Sequence, residues 1–222
     1  MSISIRTNSA ASNALTNLNK NSRALARTYT HLSTGLRISR ASDDAAGLGM
    51  AANLHAASTS ATVAGRNTND GLSMIAVAEG AADQTASMLN RMRELAVQGA
   101  SGTLGTNERA YVQSEYSSLA AEMDRVASTT AFNGQQLTDG TVASVDVQVG
   151  INNTANDIIT INMADLTTVT LAVDTGSIDM STAAGASSAL TAIDAALNTV
   201  NAYRADFGAS ANRLDVAMNN LE

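Results

Sequence analysis

The first part of the chain carries apolar side chains at alternating spacings of three and four residues, with one polar interruption at Ser22. We call this set the N-terminal seam, and its members are Leu15, Leu18, Leu25, Tyr29, Leu32 and Leu36. Such spacing places all six side chains on one side of an α-helix and is typical of a coiled coil. Because the seam has no obvious partner within the chain, we expect another copy or another protein to cover it.

Three further stretches have helical spacing and predict helices over about residues 58–98, 106–130 and 182–222. In the first of these, the positions on the apolar face are Ile75, Ala78, Ala82, Thr85, Leu89, Met92 and Ala96. In the third stretch the same spacing brings Leu197, Val200 and Phe207 to one face, and we expect this face to pack on Leu89 and Met92. Arg109 lies off the apolar face of the middle helix and is expected to be exposed.

The helix ends are predicted from capping residues. Ser42 before Asp43 and Asp44 is a predicted N-cap, because a hydroxyl can accept a hydrogen bond from the first turn and the carboxylates suit the helix dipole. Thr106 is a predicted N-cap for the same reason. No capping signal follows Leu221, so we expect the chain to stop inside its last helix.

Between about residues 135 and 179 the apolar period falls from the helical value to two. Val145, Val147 and Val149 alternate with polar residues, and Ile159 and Ile161 resume the alternation after a turn. This pattern predicts a β-hairpin, which is too small to be stable alone and should lie on the helices. The predicted fold is therefore mainly α: an elongated rod of long antiparallel helices, a coiled-coil bundle, with a small β-hairpin region.

Composition supports uninterrupted helices. The 222 residues include no proline and no cysteine, so no helix is broken by a pyrrolidine ring and no disulfide can form. The charge is uneven, because six Lys and Arg residues and no acid precede Asp43, while the whole chain has a net charge of −7. A basic N-terminus is compatible with a nucleic-acid arm, a transit peptide or one half of an interface. The cations flank the seam, which favours a solvated face over nucleic-acid binding, and no apolar stretch is long enough for membrane insertion.

Candidate chemistry is sparse. Adjacent Asp43 and Asp44 could share a proton or bind a cation, but neighbouring side chains on a helix diverge, so capping is the better interpretation. His31 is expected to be an exposed residue rather than a ligand or base, and His55 is too distant to form a local metal site with it. The motifs of zinc proteases, P-loop proteins and serine hydrolases do not occur. We therefore expect no enzyme, no metal and no cofactor.

Several stretches resemble bacterial flagellin, in order and nearly without gaps from Asn8 to Gly134. They include TNLNKNSRALARTYTHLSTGLRISRASDDAAGLGMA, GRNTNDGLSMIAVAEGA, LNRMRELAVQ and EMDRVASTTAFNG. The stretch YRADFGASANRL resembles the returning helix of the same family. The middle of the chain is short, so the resemblance implies a form without outer variable domains, and the expected C-terminal inner-tube helix does not follow Glu222. In the family, that helix and the N-terminal segment together form the inner tube of the filament.

The resemblance implies three domains: an inner-tube helix at residues 1–42, a connecting spoke at 43–57 and a rod domain at 58–222. It implies a structural filament subunit for motility that is exported through the flagellar channel and assembles outside the cell. The implied partners are other copies, the export apparatus, and the filament cap and junction proteins. The resemblance also implies recognition of the monomer by the toll-like receptor for flagellin, through positions that correspond to Arg91, Leu95, Gln98 and Glu115.

Two alternatives remain open at the level of sequence. The hook–filament junction protein of the same superfamily shares the ASDDAAG stretch and the terminal coiled coil, although RMRELAVQ fits flagellin better. A secreted binding or adhesin module could also use this scaffold. A leucine-rich terminal helix in the complete gene is needed by flagellin and the junction protein, but not by a free-standing binding module.

Overall fold

The computed structural model describes residues 8–221, which form four long helices and two small antiparallel sheets. The helices are α1 (Ser9–Thr34), α2 (Ala45–Ala100), α3 (Thr106–Thr129) and α4 (Ala183–Leu221). The chain divides into a first unit, Met1–Thr59, and a second unit, Ser60–Glu222. The mainly α fold with a small β region is thus confirmed. The first seven residues of the predicted N-terminal domain and the predicted helix end at Glu222 lie outside the described residues.

The core of the second unit lies between α2, α3 and α4. All seven positions of the predicted α2 face are buried or nearly so, including Leu89 and Met92 at 0% exposure. Across from them, Val200 and Phe207 of α4 are buried, whereas Leu197 is half-buried at the edge of the core. The predicted burial of Leu89, Met92, Val200 and Phe207 in one core is confirmed, because a 3.6-residue period identifies a buried helical face directly.

Ion pairs show that α2 and α4 run antiparallel. Arg93 binds Asp194 with an Nε–Oδ1 distance of 2.7 Å, and Arg204 lies 3.2 Å from the Asp83 carboxylate. Moving from Asp83 to Arg93 along α2 moves the partner from Arg204 back to Asp194 on α4. The two pairs therefore fix one register between the helices.

The predicted hairpin is present as β3 (Ser144–Gln148) paired with β4 (Ile158–Asn162). Val145 pairs with Ile161 and Val147 with Ile159, so the alternating apolar side chains of the two strands share one face. A short 3₁₀ helix, Ala155–Asp157, precedes β4. The hairpin lies on α2 and α4 at Gly71, where an added Cβ would stand 3.2 Å from Val147 and 3.3 Å from Leu214. The absence of a side chain here lets the three elements approach closely.

A second, smaller hairpin follows α3 and was not predicted. Its strands are β1 (Ala131–Phe132) and β2 (Gln135–Gln136). The turn between them consists of Asn133 and Gly134, with φ values of 50° and 80°. Two successive residues with positive φ form the tight turn that matches strand twist, and Asn-Gly is the pair that favours it.

Beyond Asn162 the period of two gives no further strand, and the segment 163–182 is irregular up to the start of α4. It runs antiparallel along α3 and is held by side chains of that helix. Gln113 accepts a hydrogen bond from the Met180 amide, Tyr116 donates to the Val173 carbonyl, and Asp124 binds Thr168. Backbone groups at Thr168, Val173 and Met180 therefore bond to α3 side chains. Others bond within the segment or to the β region, as the Leu166 amide does to the Thr138 carbonyl.

Two predicted caps are corrected. The N-cap of α2 is Asp44 rather than Ser42: the Asp44 carboxylate accepts from the Gly47 amide at 2.9 Å, and the helix begins at the next residue, Ala45. The N-cap of α3 is Gly105 rather than Thr106, which already belongs to the helix. Sequence patterns identify helix starts only to within one or two residues, so the backbone is needed to decide which of several neighbouring residues is the cap.

The expectation that Arg109 is exposed is also wrong. Its guanidinium donates from Nε to the Gly99 carbonyl at 3.0 Å and from Nη2 to the Ser101 carbonyl at 2.7 Å. Gly99 lies in the last turn of α2 and Ser101 directly follows the helix, at an end where helix acceptors lack partners within the helix. Arg109 therefore caps α2 from the following helix, and its side chain is half-buried.

Candidate interaction surfaces

The N-terminal seam is an exposed apolar face in the first unit. Its six side chains are between 57% exposed, at Leu25, and 78% exposed, at Leu32. None of the residues of α1, all of which the structure describes, is buried. Fully burying a leucine is worth about 1.5–3 kcal/mol, so a partner that covered the seam would gain several such contributions.

The loop after α1 is organised by Asp43. One carboxylate oxygen, Oδ2, accepts from the Ser39 amide at 3.3 Å and the Arg40 amide at 3.1 Å, and it lies 3.1 Å from the His31 ring nitrogen Nε2. Partial burial opposes ionisation, but these hydrogen bonds outweigh it and lower the pKa of Asp43. The prediction that His31 is simply exposed is therefore wrong, since the side chain is 35% exposed and paired with Asp43.

The structure brings Arg91 and Glu115 together across α2 and α3. The Arg91 guanidinium donates from Nε at 2.9 Å and from Nη2 at 2.7 Å to the same oxygen of Glu115. Its Nη1 donates to Glu94, one turn along α2, at 2.8 Å. The bonds to Glu94 and Glu115 raise the pKa of Arg91, so the guanidinium stays charged. The three side chains remain about half exposed or more and form one surface, which we call the Arg91 cluster.

The two other predicted contact residues differ from each other. Gln98 is exposed on α2, close along the helix to the Arg91 cluster. Leu95 is only 1% exposed and belongs to the core between the helices. Its predicted role as a direct apolar contact with the receptor is wrong for this structure. Leu95 follows Met92 by three residues, as Met92 follows Leu89, so all three side chains lie on the face of α2 that points into the bundle.

The Arg91 cluster can recognise a partner through a fixed pattern of donors and acceptors. A guanidinium held by two carboxylates presents a planar, preorganised set of charges that lysine cannot reproduce. Glu94 was missed by sequence reasoning, although its position three residues after Arg91 is a spacing at which helical side chains pair.

Among residues 8–221, no group of three His, Asp or Glu side chains could hold a metal ion. None of the helices in this part of the chain combines the length and the hydropathy of a membrane span.

Comparison with known proteins identifies close sequence relatives. Residues 5–143 match the family model described as the bacterial flagellin N-terminal helical region. A flagellin of Halalkalibacterium halodurans is 39% identical over 206 residues, which cover 93% of this chain and 74% of the relative. A flagellin of Clostridium tyrobutyricum is also 39% identical, over 87% of this chain, but this match spans only 53% of that relative.

A solved structure agrees with the sequence comparisons. The crystal structure of Bacillus cereus flagellin superimposes with a TM-score of 0.62 at 32% sequence identity. The superposition covers 70% of this chain and 88% of that structure. The helices and small sheets described above therefore have a counterpart in an experimental structure of similar sequence.

Proposed function

The chain belongs to the flagellin family, the structural subunits of the bacterial flagellar filament, and on this premise we propose how it leaves the cell, assembles and is recognised. It is exported through the flagellar channel, polymerises outside the cell through the N-terminal seam, and as a monomer is bound by the innate immune receptor for flagellin. The export apparatus and the cap and junction proteins at the filament ends are its further partners.

The observation that carries the assembly proposal is the exposure of the complete seam. Five of these large apolar side chains lie on one face of α1, whereas Leu36 follows the Gly35 that ends the helix, so the expectation that all six share one helix is wrong at Leu36. Such side chains are costly to leave in water, and coiled-coil spacing suits burial against another helix. A homopolymer supplies that helix from other copies. The seam is therefore the surface that we assign to contacts between subunits.

The export proposal is supported by the absence of proline and cysteine from the sequence. A chain that crosses a narrow channel unfolded must refold at the far end. Prolyl isomerisation takes tens of seconds and disulfide exchange takes seconds to hours, and neither step can delay this chain.

Receptor recognition is assigned to the Arg91 cluster together with Gln98. Arginine and its carboxylate partners supply directional polar contacts, and arginine is frequent among residues that dominate binding energy. Leu95 contributes from below the surface, by fixing the packing of α2 on α3, rather than as a direct contact.

Complementation in a bacterium that lacks its own flagellin tests the assembly proposal. The intact gene should restore swimming and give filaments visible by electron microscopy. Leu18→Asn and Leu25→Asn, which place amides in the seam, should shorten or abolish the filaments. Val169→Asn is the matched control, because Val169 is exposed but lies outside the seam. Normal filaments from the seam variants, or none from the intact gene, would contradict the proposal.

A further inference from the structure

A cavity of about 350 Å³ lies within the first unit, between α1 and the loop that precedes α2. Arg23 and Arg27 of α1 and Arg40 of the loop all line it, together with hydroxyl-bearing Thr30, Ser39 and Ser42. We call this the arginine pocket. The remaining polar lining consists of His31 and Asp43. The assembly and receptor surfaces described above use none of the three arginines.

The arginine pocket has an excess of positive charge. Within residues 8–221, no carboxylate lies within 4.0 Å of any of the three guanidinium groups. Asp43 is the acid of the lining, and its Oδ2 is already bound to the loop amides and His31. Three guanidinium groups and one carboxylate leave a net charge of +2 with neutral His31. Such a pocket is chemically suited to a carboxylate, which guanidinium groups bind through paired hydrogen bonds.

The pocket and the N-terminal seam face different directions on α1. The α1 residues of the pocket, numbers 23, 26, 27, 30 and 31, share one face of the helix. At about 100° per residue, this face lies roughly 150° from the seam. A helix packed on the seam would leave the arginine pocket open to a different neighbour.

Charge also separates the two units of the chain. Residues 1–59 hold six Lys or Arg and two Asp or Glu, a net charge of +4. Residues 60–222 hold seven Lys or Arg and eighteen Asp or Glu, a net charge of −11. The pocket is positively charged and the second unit is negatively charged. The second unit of another copy of this chain therefore offers many carboxylates to the pocket. Complementary charge of this kind steers and orients association.

We propose that the arginine pocket is a carboxylate-binding site whose occupant is an aspartate or glutamate of the second unit of a neighbouring copy. The inference rests on the proposed assembly into a filament and adds a polar contact to it. The contact is made on the face of α1 away from the seam. It gives each subunit one apolar and one charged contact from the same helix.

Binding can be tested on the isolated chain with acetate as the probe. The side-chain Nε–H resonances of the arginines are followed by NMR during an acetate titration, with sodium chloride at matched ionic strength as the reference. Saturable shifts are expected at Arg23, Arg27 and Arg40 and not at Arg37, which lies outside the pocket. The double variant Arg23→Gln/Arg27→Gln should lose the shift at Arg40. Equal shifts at all four arginines would overturn the assignment of a site.

The occupant is tested in filaments from the complementation experiment, after dissociation into subunits and regrowth on filament seeds. Arg23→Gln/Arg27→Gln should raise the critical concentration for growth about tenfold or more, whereas the charge-matched control Arg37→Gln/Lys20→Gln should leave it within about twofold. If both double variants grew equally well, the neighbouring carboxylate would be rejected while the filament function stood. If the parent itself gave no filament, the proposed function would fail and this occupant would fail with it.

Discussion

Truncation of Leu89 to alanine is expected to destabilise the second unit strongly. Leu89 is 0% exposed and lies in the core shared by α2, α3 and α4. Deleting most of a fully buried leucine side chain costs about 2–5 kcal/mol, because apolar contacts are lost and a cavity remains. In a unit of this size each 1 kcal/mol lowers the midpoint of thermal unfolding by about 2–4 °C. A decrease of about 4–20 °C is therefore expected.

Near-ultraviolet circular dichroism during heating is the appropriate assay. Of the four tyrosines, Tyr116 is the buried one, and its hydroxyl donates to the Val173 carbonyl at 2.6 Å, so its signal follows core packing. Gln84→Ala is the matched control, because Gln84 is exposed on the same helix and its loss should cost less than about 0.5 kcal/mol. Equal unfolding midpoints for the two variants would show that the buried face of α2 is misassigned.

The remaining predictions use separate measurements. Arg109→Ala should cost about 1–2 kcal/mol in the same thermal unfolding assay, since it leaves two carbonyls at the end of α2 without their donor; a cost below about 0.3 kcal/mol would contradict the capping role. Arg91→Ala should weaken activation of receptor reporter cells at least about fivefold. The control Arg93→Ala removes the same charge from the pair with Asp194 and should not weaken activation. Equal potency of the two variants would reject the Arg91 cluster as the receptor-binding surface. Limited trypsin digestion should cut α1 before α3, because α1 contains no buried residue, and simultaneous cleavage of both would refute this order. The ionised Asp43 carboxylate binds the loop amides, and its pKa is lowered from the ordinary value of 3.8. These hydrogen bonds should therefore be kept at neutral pH and lost only as the pH falls below 3.8. Loop amide resonances that titrate above pH 3.8 would show that the pKa of Asp43 is raised instead.

Periodicity was sufficient to predict the helical core. The face that includes Ile75, Leu89 and Met92 is buried as expected, because only one side of a long helix can be apolar and soluble at the same time. The period of two likewise predicted the two strands of the hairpin, in which Val147 and Ile159 are both buried. In both cases a local repeat determines which side chains face the core.

Contacts between distant residues could not be predicted in this way. Arg93 and Asp194 are 101 residues apart, and nothing in either helix alone sets their register. The irregular segment 163–182 is determined by side chains of α3, so its alternating residues do not become strands. Arg109 is polar and off the apolar face, yet it caps a helix that precedes its own, and this role depends on the turn between the two helices.

Some of the candidate surface was available locally and was missed. The Asn133–Gly134 pair is a strong turn signal and predicts the small hairpin after α3. Glu94 follows Arg91 at helical spacing and predicts the additional ion pair. Leu95 illustrates the opposite error, because a family motif gives residue types but does not say which of them the bundle buries.

The most direct test of the central claim, that copies of this chain bury the N-terminal seam on one another, is thiol accessibility in the filament. Because the sequence has no cysteine, Leu25→Cys introduces a single reactive thiol in the seam, and Val169→Cys introduces one at an exposed position outside it. The account predicts that a maleimide reagent labels both variants rapidly in the free chain but labels Leu25→Cys at least about tenfold more slowly in filaments, with Val169→Cys little changed. Equal labelling of Leu25→Cys in the free chain and in filaments would contradict the account.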